Sequence, residues 1–102
     1  MSPVAKNCDT DVRVHQWRFA DGMVKTQIAA EATHPRQAVH ITVNINTERH
    51  KITIEVWRLE SGFDRYFLPW SSAFPGEPTL GEMIEVAEAL ARGEWYKLFP
   101  EP

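Results

Sequence analysis

A single cysteine, Cys8, stands in the 102 residues, so the chain can form no internal disulfide and holds no thiolate set for a metal. That scarcity fits a reducing compartment, with Cys8 a plain free thiol. A positive excess is also missing: 11 Lys and Arg oppose 14 Asp and Glu for a net charge of −3. No large positive field is therefore present to hold a nucleic-acid backbone. The 5 glycines lie singly at turns and helix ends, or in a first helical turn as Gly81, so no glycine-rich phosphate loop exists. No stretch approaches the roughly 20 apolar residues of a membrane span, and the opening MSPVAKNCDTD lacks the apolar run of a signal peptide. The expectation is a soluble cytoplasmic protein with no membrane association.

Catalytic signatures are missing as well. Ser71 and Ser72 have no G-x-S-x-G context, and His15, His34, His40 and His50 form no HxxxH or HxH pair. The only carboxylate cluster lies along one helix. The expectation is therefore no enzyme, no catalytic residue, no metal and no cofactor.

What is present is alternation. From Val39 to Leu59, Ile41, Val43 and Ile45 alternate with polar residues, and after Thr47-Glu48-Arg49-His50 so do Ile52, Ile54 and Val56. A turn centred between Glu48 and Arg49 sets Ile45 opposite Ile52, Val43 opposite Ile54 and Ile41 opposite Val56. The other side then pairs Asn44 with Thr53, Thr42 with Glu55 and His40 with Trp57. A slip of one residue buries that polar set, so the register is strongly specified.

An earlier hairpin spans VRVHQWRFADGMVKTQIAAEA, with Asp21-Gly22 as a two-residue turn. Val12 and Val14 have the opposite parity to Trp17 and Phe19, which predicts a β-bulge at His15-Gln16 restoring Val14 opposite Ile28 and Val12 opposite Ala30. His34-Pro35-Arg36 ends its second strand. After Glu60-Ser61-Gly62, FDRYFLPW reads as a fifth strand, pairing Arg58 with Asp64, Trp57 with Arg65, Val56 with Tyr66 and Glu55 with Phe67.

WSSAFPGEP, 70–78, reads as a loop, and Thr79-Leu80-Gly81-Glu82 as a capping box that opens a helix over 79–92. Leu80, Met83, Ile84, Ala87, Leu90 and Ala91 form its apolar stripe, and Gly93 stops it. The fold class is α+β in one domain: a loose lead at 1–10, an antiparallel sheet of about five strands at 11–69, and one C-terminal helix packed on one face. The apolar tail at 93–102 folds back on the domain.

The sheet face away from the helix carries the candidate site, His40, Trp57, Arg65 and Phe67, with Arg65 over Trp57 as a cation–π pair. Trp, Phe and Arg are enriched at the centres of protein interfaces. The function expected is a small protein-binding module, an inhibitor or adaptor that occupies a partner's surface, with a homodimer as the other use of the face. Small domains of this build are common among phage and mobile-element inhibitors of bacterial defence, anti-CRISPR proteins included, which makes that class the narrower expectation. Glu82, Glu85 and Glu88 form an alternative acidic surface for a basic nucleic-acid-binding partner, and Glu88 has Arg92 at i+4. A second reading is single-stranded nucleic-acid binding on the aromatic face, which the acidic balance disfavours. A third is a small enzyme or ligand carrier with the Trp70–Phe74 loop as its lid.

Overall fold

A computed structural model describes residues 10–94. Five strands, β1 (Thr10–Arg18), β2 (Val24–His34), β3 (Val39–Asn46), β4 (Lys51–Arg58) and β5 (Gly62–Leu68), pair antiparallel with their sequence neighbours in the order β1-β2-β3-β4-β5. One turn of helix, α1 (Trp70–Ala73), and a longer helix, α2 (Leu80–Ala91), follow. The α+β architecture read from the sequence is the one observed, apart from α1, which lies in the segment expected to be loop. The expected loose lead and folded-back tail fall outside the described residues, except for Thr10, Gly93 and Glu94.

The central hairpin has the expected register, with Ile45 opposite Ile52, Val43 opposite Ile54 and Ile41 opposite Val56. Its loop is held by Asn46, whose Oδ1 accepts from the Arg49 amide at 3.1 Å, and it uses a positive φ of 50° at His50. Thr47 extends the ladder beyond β3: its hydroxyl accepts from the Thr26 amide at 3.0 Å and donates to the Thr26 carbonyl at 3.1 Å.

The first hairpin corrects the expected bulge. Val14 does face Ile28 and Val12 does face Ala30, but pairing continues unbroken through His15↔Gln27 and Gln16↔Thr26 to Arg18↔Val24. The parity change sits in the turn. Ala20-Asp21-Gly22 form a three-residue loop in which the Gly22 amide donates to the Phe19 carbonyl at 3.0 Å and the Phe19 amide to the Met23 carbonyl at 2.9 Å. Gly22 takes φ 87°, and Asp21 Oδ1 accepts from the Met23 amide at 3.0 Å. A type I turn closed by a left-handed glycine adds one residue at the loop, so none is needed within the strand. Trp17 consequently lies on the opposite face from Val12 and Val14.

The β4–β5 turn differs too. Arg58 pairs with Gly62, Trp57 with Phe63, Glu55 with Arg65 and Thr53 with Phe67. The loop is Leu59-Glu60-Ser61, one residue earlier than expected, and Gly62 provides the positive φ of 82° that ends it. Moving the loop centre by one residue moves the register by two, so every side chain of β5 keeps its expected face.

The core lies between one face of the sheet and the helical segment. Ile28, Ile45, Ile52, Ile54 and Leu90 are fully buried, and α2 adds Met83, Ala87 and Ala91. Ala30 and Ala32 on β2 and Ala87 and Ala91 on α2 belong to this core, and α2 packs against β2, where small side chains on both elements permit close approach. Helix α2 lies over β1, β2 and β3. Phe74, 5% exposed, and the partly buried Trp70 and Ala73 join the same core. Leu80, expected in the buried stripe, is 39% exposed.

Both ends of α2 are closed as its sequence implies. Thr79 Oγ1 accepts from the Glu82 amide at 3.1 Å while Glu82 Oε1 accepts from the Thr79 amide at 2.8 Å. At the other end the Glu94 amide donates to the Ala89 carbonyl at 2.9 Å and the Gly93 amide to the Leu90 carbonyl at 3.0 Å, with Gly93 at φ 84°. His34 Nε2 then donates to the Ala91 carbonyl at 2.8 Å, tying the helix end to β2. In urea unfolding, Thr79→Ala should lower stability by about 1 kcal/mol and Ile54→Ala by about 2–5 kcal/mol.

Candidate functional site

The face away from α2 has no cover among the described residues, and no side chain of β2 to β5 that points to it is fully buried. Register places its side chains in rows across these four strands. Thr33, His40, Trp57 and Phe63 form one row, Glu31, Thr42, Glu55 and Arg65 the next, and Ala29, Asn44, Thr53 and Phe67 a third. The four expected residues His40, Trp57, Arg65 and Phe67 therefore share this face.

Their contacts differ from the expected ones in one respect. Arg65 lies over Phe63, its guanidinium carbon 5.3 Å from the ring centroid, and not over Trp57, because the two-residue register change makes Phe63 the cross-strand neighbour of Trp57. Trp57 and Phe63 stack with centroids 4.2 Å apart at 27°. Arg65 is held from its other side by Glu55, with Nε and Nη2 each 2.9 Å from Oε2. Lys51 Nζ lies 4.9 Å from the centroid of Phe67. Trp57, Phe63 and Phe67 remain 41%, 40% and 57% exposed, so an ordered aromatic surface faces solvent.

His40 stands between Thr33 and Trp57 in the first row. Its Nε2 donates to Glu31 Oε1 at 2.9 Å, and Nδ1 lies 2.8 Å from Thr33 Oγ1. Both ring nitrogens are thus engaged, and the imidazole is a fixed wall of the surface. Beyond it, Val39, Ala38, Pro35, Trp57 and Leu59 line an open hollow of about 450 Å³ at the end of the sheet. A smaller trough of about 290 Å³ runs over Ala29, Thr42, Asn44 and Thr53, between Arg13 and Glu55. Small side chains floor the middle of the face and aromatic ones raise its β4–β5 side.

Phe63 is the surface residue that the sequence reading missed. Its signal was parity: in FDRYF, residues 63, 65 and 67 share a face, and the misplaced loop set Arg65 in place of Phe63 opposite Trp57. On the opposite face Arg58 hydrogen-bonds Asp64 diagonally across β4 and β5. That hydrogen bond, then the charge of Asp64 and the Tyr66 hydroxyl, hold the Arg58 guanidinium above the usual arginine range.

The alternative acidic surface is less uniform than its spacing implies. Glu82 and Glu85 are exposed and Glu88 is half-buried, while the Glu82 carboxylate is engaged in the helix cap. Arg92, expected to pair with Glu88, donates through Nε to Glu94 at 2.8 Å. The histidines are dispersed: His15 stacks on Trp17, His50 on Trp70, and His34 caps the helix. Among the described residues no group of three or more His, Cys, Asp or Glu is placed to hold a metal ion, and no helix is long and apolar enough to cross a membrane. The Trp70–Phe74 segment, expected as a lid, forms α1 and contributes Phe74 to the core, with Trp70 centred 4.9 Å from Phe74 and 4.7 Å from His50.

These positions imply a sharp contrast along β5. Phe67→Ser should change unfolding free energy by no more than about 0.5 kcal/mol, as at other exposed sites, whereas Leu68→Ala, one residue on, should cost about 2–5 kcal/mol. Urea unfolding of the two variants reads the difference.

Comparison with known proteins finds no matching family model, no matching curated protein and no matching solved structure.

Proposed function

We propose that this protein is a binding module that acts by occupying the surface of another protein, as an inhibitor or adaptor, through the sheet face away from α2. The observation that carries the reading is the Trp57–Phe63 stack with Phe67 beside it, about half exposed and already ordered by Arg65, Glu55 and Lys51. Side chains held in their contact geometry before binding lose less entropy on association. Aromatic and Arg side chains are also the types that dominate interface energetics. Strand spacing and rise give the face roughly 500 Å² of flat area before side-chain relief is counted. That is the scale of one side of a standard interface, about 800 Å².

Electrostatics favour a protein over a nucleic acid. Of the cations on the face, Arg65 pairs with Glu55, Arg13 with Asp11 at 3.6 Å and Lys25 with Glu48 at 3.8 Å, while Lys51 lies over the Phe67 ring. A backbone of phosphates would meet mainly neutralised pairs in place of a run of free charge.

The test is affinity capture with the wild type beside a Trp57→Ala/Arg65→Ala variant, both shown folded by circular dichroism. Binding to the captured protein should weaken by about tenfold or more in the variant. Equal capture by both forms would place the contact elsewhere, and an unfolded variant would make these residues structural. In the anti-defence form of the proposal, addition of the domain to a bacterial RNA-guided nuclease should suppress cleavage, and the double variant should not.

A further inference from the structure

Edge strands expose a row of unpaired backbone groups, and proteins blunt them with charge, proline, bulges or a covering element. The two edges of this sheet are treated differently. β1 carries Asp11, Arg13 and Arg18 and has α2 packed over its inner side. β5 is regular, without proline or bulge, and has no strand on its outer side among the described residues. Its two charges are both drawn back onto β4, Asp64 by Arg58 and Arg65 by Glu55. What it presents on its two faces is aromatic: Phe63 and Phe67 on one, and Tyr66, 42% exposed with its hydroxyl bonded to Arg58, on the other.

We propose that β5 pairs antiparallel with β5 of a second copy, about a two-fold axis at Tyr66, joining the two sheets into one of ten strands. The register follows from charge. A two-fold between antiparallel strands puts one residue opposite itself, and like charges directly opposite are destabilising. With Arg65 on the axis two guanidinium groups meet, and with Asp64 there two carboxylates meet. Centring on Phe63 overlaps little more than Gly62 to Asp64, and centring on Phe67 brings in Pro69, which has no N–H to give. Tyr66 on the axis avoids the like-charge contacts and pairs Asp64 through Leu68, with Pro69 falling beyond that stretch, opposite the partner's Phe63. It sets Arg65 opposite the partner's Phe67, an exposed cation against an exposed ring, on both sides of the axis.

The second copy satisfies this pattern by its own symmetry, since each strand supplies both the cation and the ring. Helix α2 does not obstruct it, because it lies over β1 to β3. A pairing this short makes a small interface, so the dimer is a reversible, concentration-dependent one. Its consequence for the open face is direct: both copies present that face on the same side, and the Phe63–Arg65–Phe67 strips of the two meet at the junction. The dimer does not depend on the proposed protein partner, and its test uses the purified chain alone.

Sedimentation velocity from micromolar to submillimolar concentration should show wild-type monomer passing to dimer. Tyr66→Lys and Tyr66→Glu should each weaken self-association by about tenfold or more, and an equimolar mixture of the two should recover the dimer. A wild type that stays monomeric throughout overturns the proposal. So does a Tyr66→Lys variant that dimerises like the wild type, or a mixture that recovers nothing. Should either charged variant lose its circular dichroism spectrum, Tyr66→Cys in a Cys8→Ser background decides. Cross-axis Cα atoms in antiparallel pairs lie about 4.5–5.5 Å apart, within disulfide reach. Mild oxidation should therefore give a covalent dimer, and its absence overturns the proposal.

Discussion

A mismatch of widths governs this molecule. One helix with its side chains is about 10 Å across, and five strands about 4.8 Å apart make a sheet of roughly 20 Å. Helix α2 accordingly covers β1 to β3, while Phe74, Trp70 and Ala73, from the segment between the sheet and α2, join the same core. The remaining chain among the described residues offers nothing for the second face. The apolar alternation of the strands is matched to that supply: the Val and Ile residues of β3 and β4 all point to the covered side, and the open side is built largely from polar residues with aromatics gathered near one edge.

Much of this was legible in the residues. The central hairpin read correctly because each arm has an unbroken period of two, and any slip would bury Asn44, Thr42 and Glu55 together. The helix read correctly because both of its ends carry side-chain chemistry of their own, the reciprocal Thr79–Glu82 pair and Gly93. Such signals act within a few residues, and a single sequence contains them whole.

Loops were where the reading went astray. Asp21-Gly22 closes a two-residue turn or ends a three-residue one with the same glycine in the same left-handed conformation, and only the pairing of the whole strand decides which. At Gly62 the loop length was right and its position was not: the glycine follows the three-residue loop and does not end it from within. In the first hairpin the error was absorbed by an imagined bulge; in the second it moved the register by two and so left the faces intact. That parity is why His40, Trp57, Arg65 and Phe67 were rightly grouped while the stacking partner of Trp57 was missed. The burial of Phe74 had no local signal, because an aromatic in a loop full of Ser, Pro and Gly looks the same whether it turns in or out.

The hydrogen bond from His34 to the end of α2 spans 57 positions along the chain. Every strand, by contrast, pairs only with its immediate sequence neighbours. The sheet can therefore assemble by local zippering, one hairpin after another, with small loop-closure cost at each step. Helix docking is the long-range event, and α2 is also made after all five strands. During synthesis the isoleucine face of the sheet must wait, wet and adhesive, until the helix emerges to cover it. The interval between the fifth strand and the docked helix is when this chain is most exposed to aggregation.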